Sequence, residues 1–259
     1  MLKLTSENYY SQEANQTYWS ASFIKSMLNC PARTIAELEG KYFRPSTSSF
    51  LIGSYVDSYF EGTLEQFKET HPELFKRDGT LKAEYLRADE MIRRAERDPV
   101  FMEYMQGEKQ VILTGEIDSL PFKSKFDVYQ PESRIVDLKT VKDMEPMYRP
   151  GQGKLSFVEY WNWMLQMAIY QAVEGHQIPC YLAVITKEDP PNIAVIQIPQ
   201  HTLDAEMEVL KERLPYFDAI RTKIIEPPRC EKCDYCRATN RLSGAVDLDD
   251  LIEFEGGAI

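Results

Sequence analysis

A mixed α/β fold with one main sheet is encoded in this chain by three observations. Apolar residues follow a helical period over 20–39 and 50–60, the period shortens to alternation over 110–140, and a striped helical stretch is followed by the continuous apolar run 180–186. The 259 residues are expected to form a single domain spanning 1–259, with a helical insert over 64–106 and a cysteine-bearing tail over 227–259.

Over 20–39, Phe23, Ile24, Met27, Leu28, Ile35 and Leu38 keep a helical period, with Ser20 or Ser22 as cap, Gly40 as stop and Pro31 as a break or restart. Leu51, Ile52, Tyr55, Val56, Tyr59 and Phe60 stripe a second helix over 50–60 before Gly62. The charged stretch 64–106 contains a surface helix opening at Leu81. Strands are expected over 110–118, 121–129 and 134–140, separated by Asp118-Ser119-Leu120-Pro121 and Gln130-Pro131-Glu132-Ser133, as a short antiparallel meander. Gly151 and Gly153 mark a mobile loop, and one long aromatic-rich helix runs over 157–174 to Gly175. A buried strand over 180–186 pairs with 192–198, and a last helix over 203–223 ends before Pro227-Pro228. The acidic stretch 247–259 reads as frayed or lightly docked.

Thirty basic and 41 acidic residues give a net charge of -11, which argues against a broad electrostatic grip on nucleic acid but leaves room for a local basic stripe. No apolar run approaches the about 20 residues of a membrane span, and the amino terminus has neither a secretory nor a transit pattern, so a cytoplasmic protein without membrane association is expected. Five cysteines, three of them at C-x-x-C-x-x-C spacing, point in a reducing compartment to metal or cluster ligation before disulfides.

The chemistry concentrates in Ser124-Lys125-Phe126-Asp127-Val128-Tyr129 and Arg134-Ile135-Val136-Asp137-Leu138-Lys139-Thr140. Alternate residues of a strand share a face, so Asp137 and Lys139 stand side by side while Val136 and Leu138 pack. In a hairpin, Asp127 approaches Asp137 across the ladder, and the two carboxylates can share a hard cation such as Mg2+ or Mn2+. Paired acids, a divalent cation and an amine suit phosphodiester hydrolysis, because the cation lowers the pKa of water and the amine orients water or steadies phosphorane charge.

These residues resemble the PD-(D/E)XK nuclease superfamily, with Asp127 as the first acid and Asp137-x-Lys139 as the (D/E)XK element; the order of elements is similar to its restriction-endonuclease-like αβββαβ core, a mixed central sheet flanked by helices. The resemblance is closest to the RecB-like, exodeoxyribonuclease VIII (RecE-type) branch of phages, whose D-hydrophobic-K-T and Q-x-x-x-Y signatures match Asp137-Leu138-Lys139-Thr140 and Gln166 with Tyr170. That branch commonly carries G-x-x-x-H before the core; here Gly53-Ser54-Tyr55-Val56-Asp57 places an Asp where His is usual. The resemblance implies Asp127, Asp137, Lys139, Gln166 and Tyr170 as catalytic residues and Asp57, Asp127, Asp137 and the Leu138 carbonyl as metal ligands. Glu116 is a further candidate as an outer acid.

Some RecB-like nucleases tie an iron–sulfur cluster with one amino-terminal and three carboxy-terminal cysteines, a distribution similar to Cys30 with Cys230, Cys233 and Cys236. A [4Fe-4S] cluster, Zn2+ and unligated thiols remain open for this set. DNA contact would come from Lys125, Arg149 and Lys154, with Lys123, Arg134 and Lys142 as further cations and Trp161 and Trp163 as stacking platforms. The resemblance implies a metal-dependent DNA exonuclease that resects double-stranded ends in phage recombination, beside a single-strand annealing recombination protein and with a homo-oligomer as a known arrangement. The rivals are a structure-specific endonuclease and a non-catalytic DNA-binding or assembly protein that keeps the fold.

Overall fold

The computed structural model describes residues 2–44, 48–242, 244, 245 and 247; all of the expected acidic segment 247–259 except Asp247 lies outside them. A short first helix, α1 (Gln12–Thr17), leads to α2 (Ala21–Asn29) and α3 (Pro31–Leu38). The Ser20 hydroxyl accepts the Phe23 N–H and caps α2, and Pro31 restarts the chain as the first residue of α3, with Cys30 extended between the two helices. Next come α4 (Ser48–Glu61), α5 (Leu64–Thr70), α6 (Ala83–Glu96) and α7 (Pro99–Tyr104).

Three antiparallel strands follow, β1 (Glu108–Ile117), β2 (Leu120–Gln130) and β3 (Arg134–Val141), then a small hairpin of β4 (Met147–Arg149) and β5 (Gly153–Leu155). Helices α8 (Phe157–Tyr160) and α9 (Trp163–Glu174) lead into β6 (Cys180–Thr186) and β7 (Ile193–Ile198). The chain closes with α10 (Gln200–Arg221) and α11 (Asp234–Ala238). The main sheet runs β1-β2-β3-β6-β7; β3 and β6 are parallel and the other neighbours antiparallel. The crossover between the parallel pair is the α8–α9 segment, as parallel strands require.

Both faces of this sheet are covered, which explains why β3 and β6 read as near-continuous apolar runs. Val136, Leu138, Ala183 and Ile185 join Tyr55 and Val56 of α4 and Met91 and Ile92 of α6 in one core layer. Ile135, Leu182 and Val184 pack on the other side with Trp163 and Met167 of α9. Asp137 and Lys139 share the parity of Ile135 and therefore face α9.

Three expectations change. The helix opening near Leu81 is more than a surface element: one face of α6 is exposed, while the other buries Tyr85, Ala88, Met91, Ile92 and Ala95 and supplies one wall of the core. The loop at Gly151 and Gly153 is ordered as the β4–β5 hairpin, both glycines holding positive φ (79° and 80°) where a side chain would be strained. The long helix over 157–174 is cut in two at Asn162, whose left-handed backbone (φ 52°, ψ 41°) resets the helical phase before α9.

Gly115 sets how closely α9 approaches the sheet. A Cβ there would stand 3.0 Å from the Val173 carbonyl oxygen and 3.2 Å from its Cα, both backbone atoms that cannot swing aside. Gly115→Ala is expected to cost about 1–3 kcal/mol by overpacking the α9–β1 contact. Urea denaturation measures this, and an unchanged midpoint would mean that α9 is not held at this distance.

Candidate active site

The site forms where β2 and β3 stop pairing. Their ladder joins Gln130 to Arg134, Tyr129 to Ile135 and Val128 to Val136, and the next rung would set Asp127 opposite Asp137. That rung is absent. The Leu138 N–H instead donates to Asp127 Oδ2 at 2.9 Å, so a carboxylate has taken the place of a backbone acceptor. On its other side, β1 pairs with β2 on both flanks of Asp127 but not at it; Gln110 has positive φ (54°) there and donates its Nε2 to Asp127 Oδ1 at 3.2 Å. The irregularity also exchanges the faces of β2. Phe126 packs on Tyr170 of α9, whereas Val128 joins the opposite layer, as a bulge re-aiming a strand does.

Asp137 is 1% exposed. Its Oδ1 accepts from Gln166 Nε2 at 2.7 Å, and the Lys139 ammonium closes on its Oδ2. Gln166 Nε2 also donates to the Tyr170 hydroxyl at 3.0 Å, so the two residues one helical turn apart face the acids together. Lys25 of α2 completes the set by donating to Gln166 Oε1 at 2.6 Å. Because an ammonium has only protons to give, Lys25 fixes which end of the Gln166 amide points at Asp137. Asp57 arrives from α4, which lies close to β3 because Gly53 has no Cβ; one built there would sit 3.1 Å from Thr140 Oγ1.

The charges are unbalanced: three carboxylates meet two ammoniums. Burial and the charge of Asp137 push Asp127 up to about 7. Burial first, then Asp127, raises Asp57 well above the ordinary carboxylate range. Burial alone would lower Lys139, but Asp137, Asp127 and Asp57 outweigh it and hold its amine above the ordinary lysine value. Lys25 has no such surplus of acids; burial and the neighbouring Lys139 lower it to about 8. Burial keeps the Tyr170 phenol protonated well past its usual range, with Asp137 and Asp127 adding to the shift. A divalent cation fits this set, since hard carboxylate oxygens carry a charge surplus that a cation would relieve. The Leu138 carbonyl lies on the same strand edge as its N–H and faces the same gap.

Around the acids, a cleft of about 610 Å³ opens beside Asp57, Thr140, Trp161 and Trp163. A second, of about 410 Å³, is lined by Lys25, Arg44, Arg149 and the same two tryptophans. Trp161 is 50% exposed, whereas Trp163 is buried with Lys139 Nζ 5.7 Å from its ring centre. Arg149 donates to the Tyr160 carbonyl and to Gln152 Oε1, Lys154 is exposed on β5, and Lys125 lies 4.9 Å over the Tyr10 ring. Two expected cations are spent internally: Lys123 is buried on the Tyr9 carbonyl and Asn15, and Arg134 donates to the Glu103 carbonyl over the Tyr104 ring. Glu116 is exposed opposite Pro121, several residues along β1 from the acids; the residue facing Asp127 is Gln110. Gln110 and Lys25 carry no sequence signal of their own, since only tertiary packing brings them here. Elsewhere, Cys30, Cys230, Cys233 and Cys236 converge without a disulfide between them, while Cys180 is buried in β6.

A family model described as a PDDEXK-like domain of unknown function (DUF3799) matches residues 20–239, and the chain belongs to that family. A crystal structure named "Putative exonuclease" from Eubacterium rectale is 39% identical, with a TM-score of 0.93 over 97% of this chain and 98% of that one. The crystal structure of SSO0001 aligns at 14% identity and a TM-score of 0.27, over 72% of this chain and 87% of that one. Among curated proteins none matches. The fold is restriction-endonuclease-like, a mixed five-stranded sheet flanked by helices.

The raised Asp127 carboxyl gives a pH test of whether it ligates a cation. It keeps a proton up to about pH 7 when folded but ionises near 4 when unfolded, so this group's contribution to stability falls as pH rises from about 4 to about 7. A cation competes with that proton. Mg2+ or Mn2+ is therefore expected to raise the melting temperature more at about pH 8 than at about pH 5.5, with the difference reduced in Asp127→Asn and the remainder due to the likewise raised Asp57. Equal shifts at both pH values would exclude Asp127 as a ligand.

Proposed function

We propose that this protein is a Mg2+- or Mn2+-dependent DNA exonuclease of the exodeoxyribonuclease VIII type, hydrolysing phosphodiester bonds at double-stranded ends. The observation that carries the reading is the Asp137 carboxylate gripped by Gln166 and Lys139 beside Asp127, at a break in the sheet. Membership of a PDDEXK-like family and the 39% identity to a chain named an exonuclease support it.

Asp57, Asp127, Asp137 and the Leu138 carbonyl would hold the cation. When bound, it lowers the pKa of water and draws charge from the phosphate. Lys139, kept positive by its acids, orients the attacking water and faces the charge that builds on phosphorus-bound oxygen. Tyr170 accepts from Gln166, which leaves its own O–H, held protonated, to donate to a phosphate oxygen. Lys25 acts through Gln166 as a positioning residue.

Substrate DNA would pass the clefts that meet at Trp161 and Trp163, with Arg149, Lys154 and Lys125 on its phosphates and the exposed Trp161 as a stacking surface. With a net charge of -11, such binding is weak and salt-sensitive unless a single-strand annealing recombination partner or self-association adds surface. Resection in phage recombination is the setting this chemistry suits.

End-labelled linear duplex DNA and a covalently closed circle, each with Mg2+ or Mn2+, test the proposal. The linear substrate is expected to shorten while the circle survives. Lys139→Ala should slow hydrolysis by at least about 100-fold, and Asp137→Ala should abolish it. Cleavage of the circle would make the protein an endonuclease, and full activity of the purified Asp137→Ala protein would remove the site assignment.

A further inference from the structure

The four converging cysteines come from opposite ends of the chain. Cys30 is the extended residue between α2 and α3, and the other three surround the start of α11 beyond α10. Their Sγ atoms stand 3.6 Å apart for Cys30 and Cys236, 3.8 Å for Cys233 and Cys30 and 3.9 Å for Cys230 and Cys236; all four lie within 4.8 Å of one another. These gaps are nearly twice the about 2.05 Å of a disulfide.

The separations discriminate between metal centres. Four thiolates at about 2.3 Å from one ion define a tetrahedron with edges of about 3.8 Å, and no two ligands of one ion can be farther apart than about 4.6 Å. In a four-iron cube each thiolate binds its own iron and radiates outward from the cage, which spreads the sulfurs beyond the limit set by a shared ion. Three of the separations match the edge of the single-ion tetrahedron, and with all four sulfurs within 4.8 Å of one another the set is tighter than the cube requires.

We infer that Cys30, Cys230, Cys233 and Cys236 hold one tetrahedral Zn2+. Four sulfur ligands leave no open position for water or substrate, so the site is structural. Backbone N–H groups serve the sulfurs: Cys233 N donates to Cys230 Sγ at 3.3 Å and Cys236 N to Cys233 Sγ at 3.5 Å, spreading charge that a tetrathiolate would otherwise concentrate. The two segments also meet without the ion, since Ala32 N donates to the Pro228 carbonyl at 3.0 Å and the Tyr42 and Tyr235 rings pack edge to face. The ion thus locks the α2–α3 turn to the tail, five residues from Lys25.

The test uses the full chain purified without oxygen from cells supplied with both iron and zinc. Elemental analysis is expected to give one zinc per chain, with no acid-labile sulfide and no visible absorption. Four irons with sulfide, iron in place of zinc, or a chain that neither carries nor takes up zinc would each overturn the assignment. Co2+ exchanged into the chelator-treated protein should give the intense visible bands of a tetrahedral thiolate site; a weak octahedral spectrum would count against it. Cys233→Ser is expected to lose its zinc and melt at a lower temperature, and if it is insoluble the metal count of the unaltered protein still decides. The outcome is independent of nuclease activity, since an inactive chain would still carry the ion.

Discussion

Much of this molecule is organised around one substitution of partners, in which the Asp127 carboxylate takes the hydrogen bond of the Leu138 N–H that a regular antiparallel ladder would give to a backbone carbonyl. A buried N–H must be paired, and once a side chain pairs it the strands are free to separate. The separation creates a gap inside the sheet, between two strands that are each held by pairing on their other side, β2 to β1 and β3 to β6. Everything near it adapts: Gln110 turns back on Asp127, α4 closes in over Gly53, and α9 lies against Gly115 with its polar pair aimed inward.

The cost of this arrangement is electrostatic. Carboxylates taken out of water resist ionisation, and removing one member of a buried ion pair costs about 3–5 kcal/mol because the other is stranded. Asp137 escapes that penalty through two partners of different kinds, an amide and an ammonium. Lys25 then extends the chain of contacts to the amino-terminal helices, so residues 141 positions apart share one polar cluster. The same lysine accounts for a cation hidden beneath a chain of net charge -11: local sign, not overall charge, governs what the clefts can attract.

Legibility from sequence followed the period of each element. Asp137 and Lys139 were readable because strand alternation alone places them together, and Gln166 and Tyr170 because one helical turn does the same. That Asp127 approaches Asp137 followed from reading the two strands as a hairpin, although the replacement of their rung by a side-chain hydrogen bond did not. Short or irregular elements left little trace. Strands β4 and β5 have three residues each, and the break at Asn162 uses a left-handed conformation without glycine or proline to announce it. Lys25 and Gln110 were invisible for a different reason: each is an ordinary polar residue of its own element, and its role exists only through packing between elements.

The meeting of Cys30 with Cys230, Cys233 and Cys236 also imposes an order on biosynthesis. A chain emerging amino terminus first carries α2, with Lys25, long before its last three thiol partners exist. Until residue 230 has been translated, the turn after α2 has only one of the four sulfurs, and the set is complete only at residue 236. The meeting of these segments is therefore a late event in maturation, and products terminated before residue 236 lack the complete set of thiols.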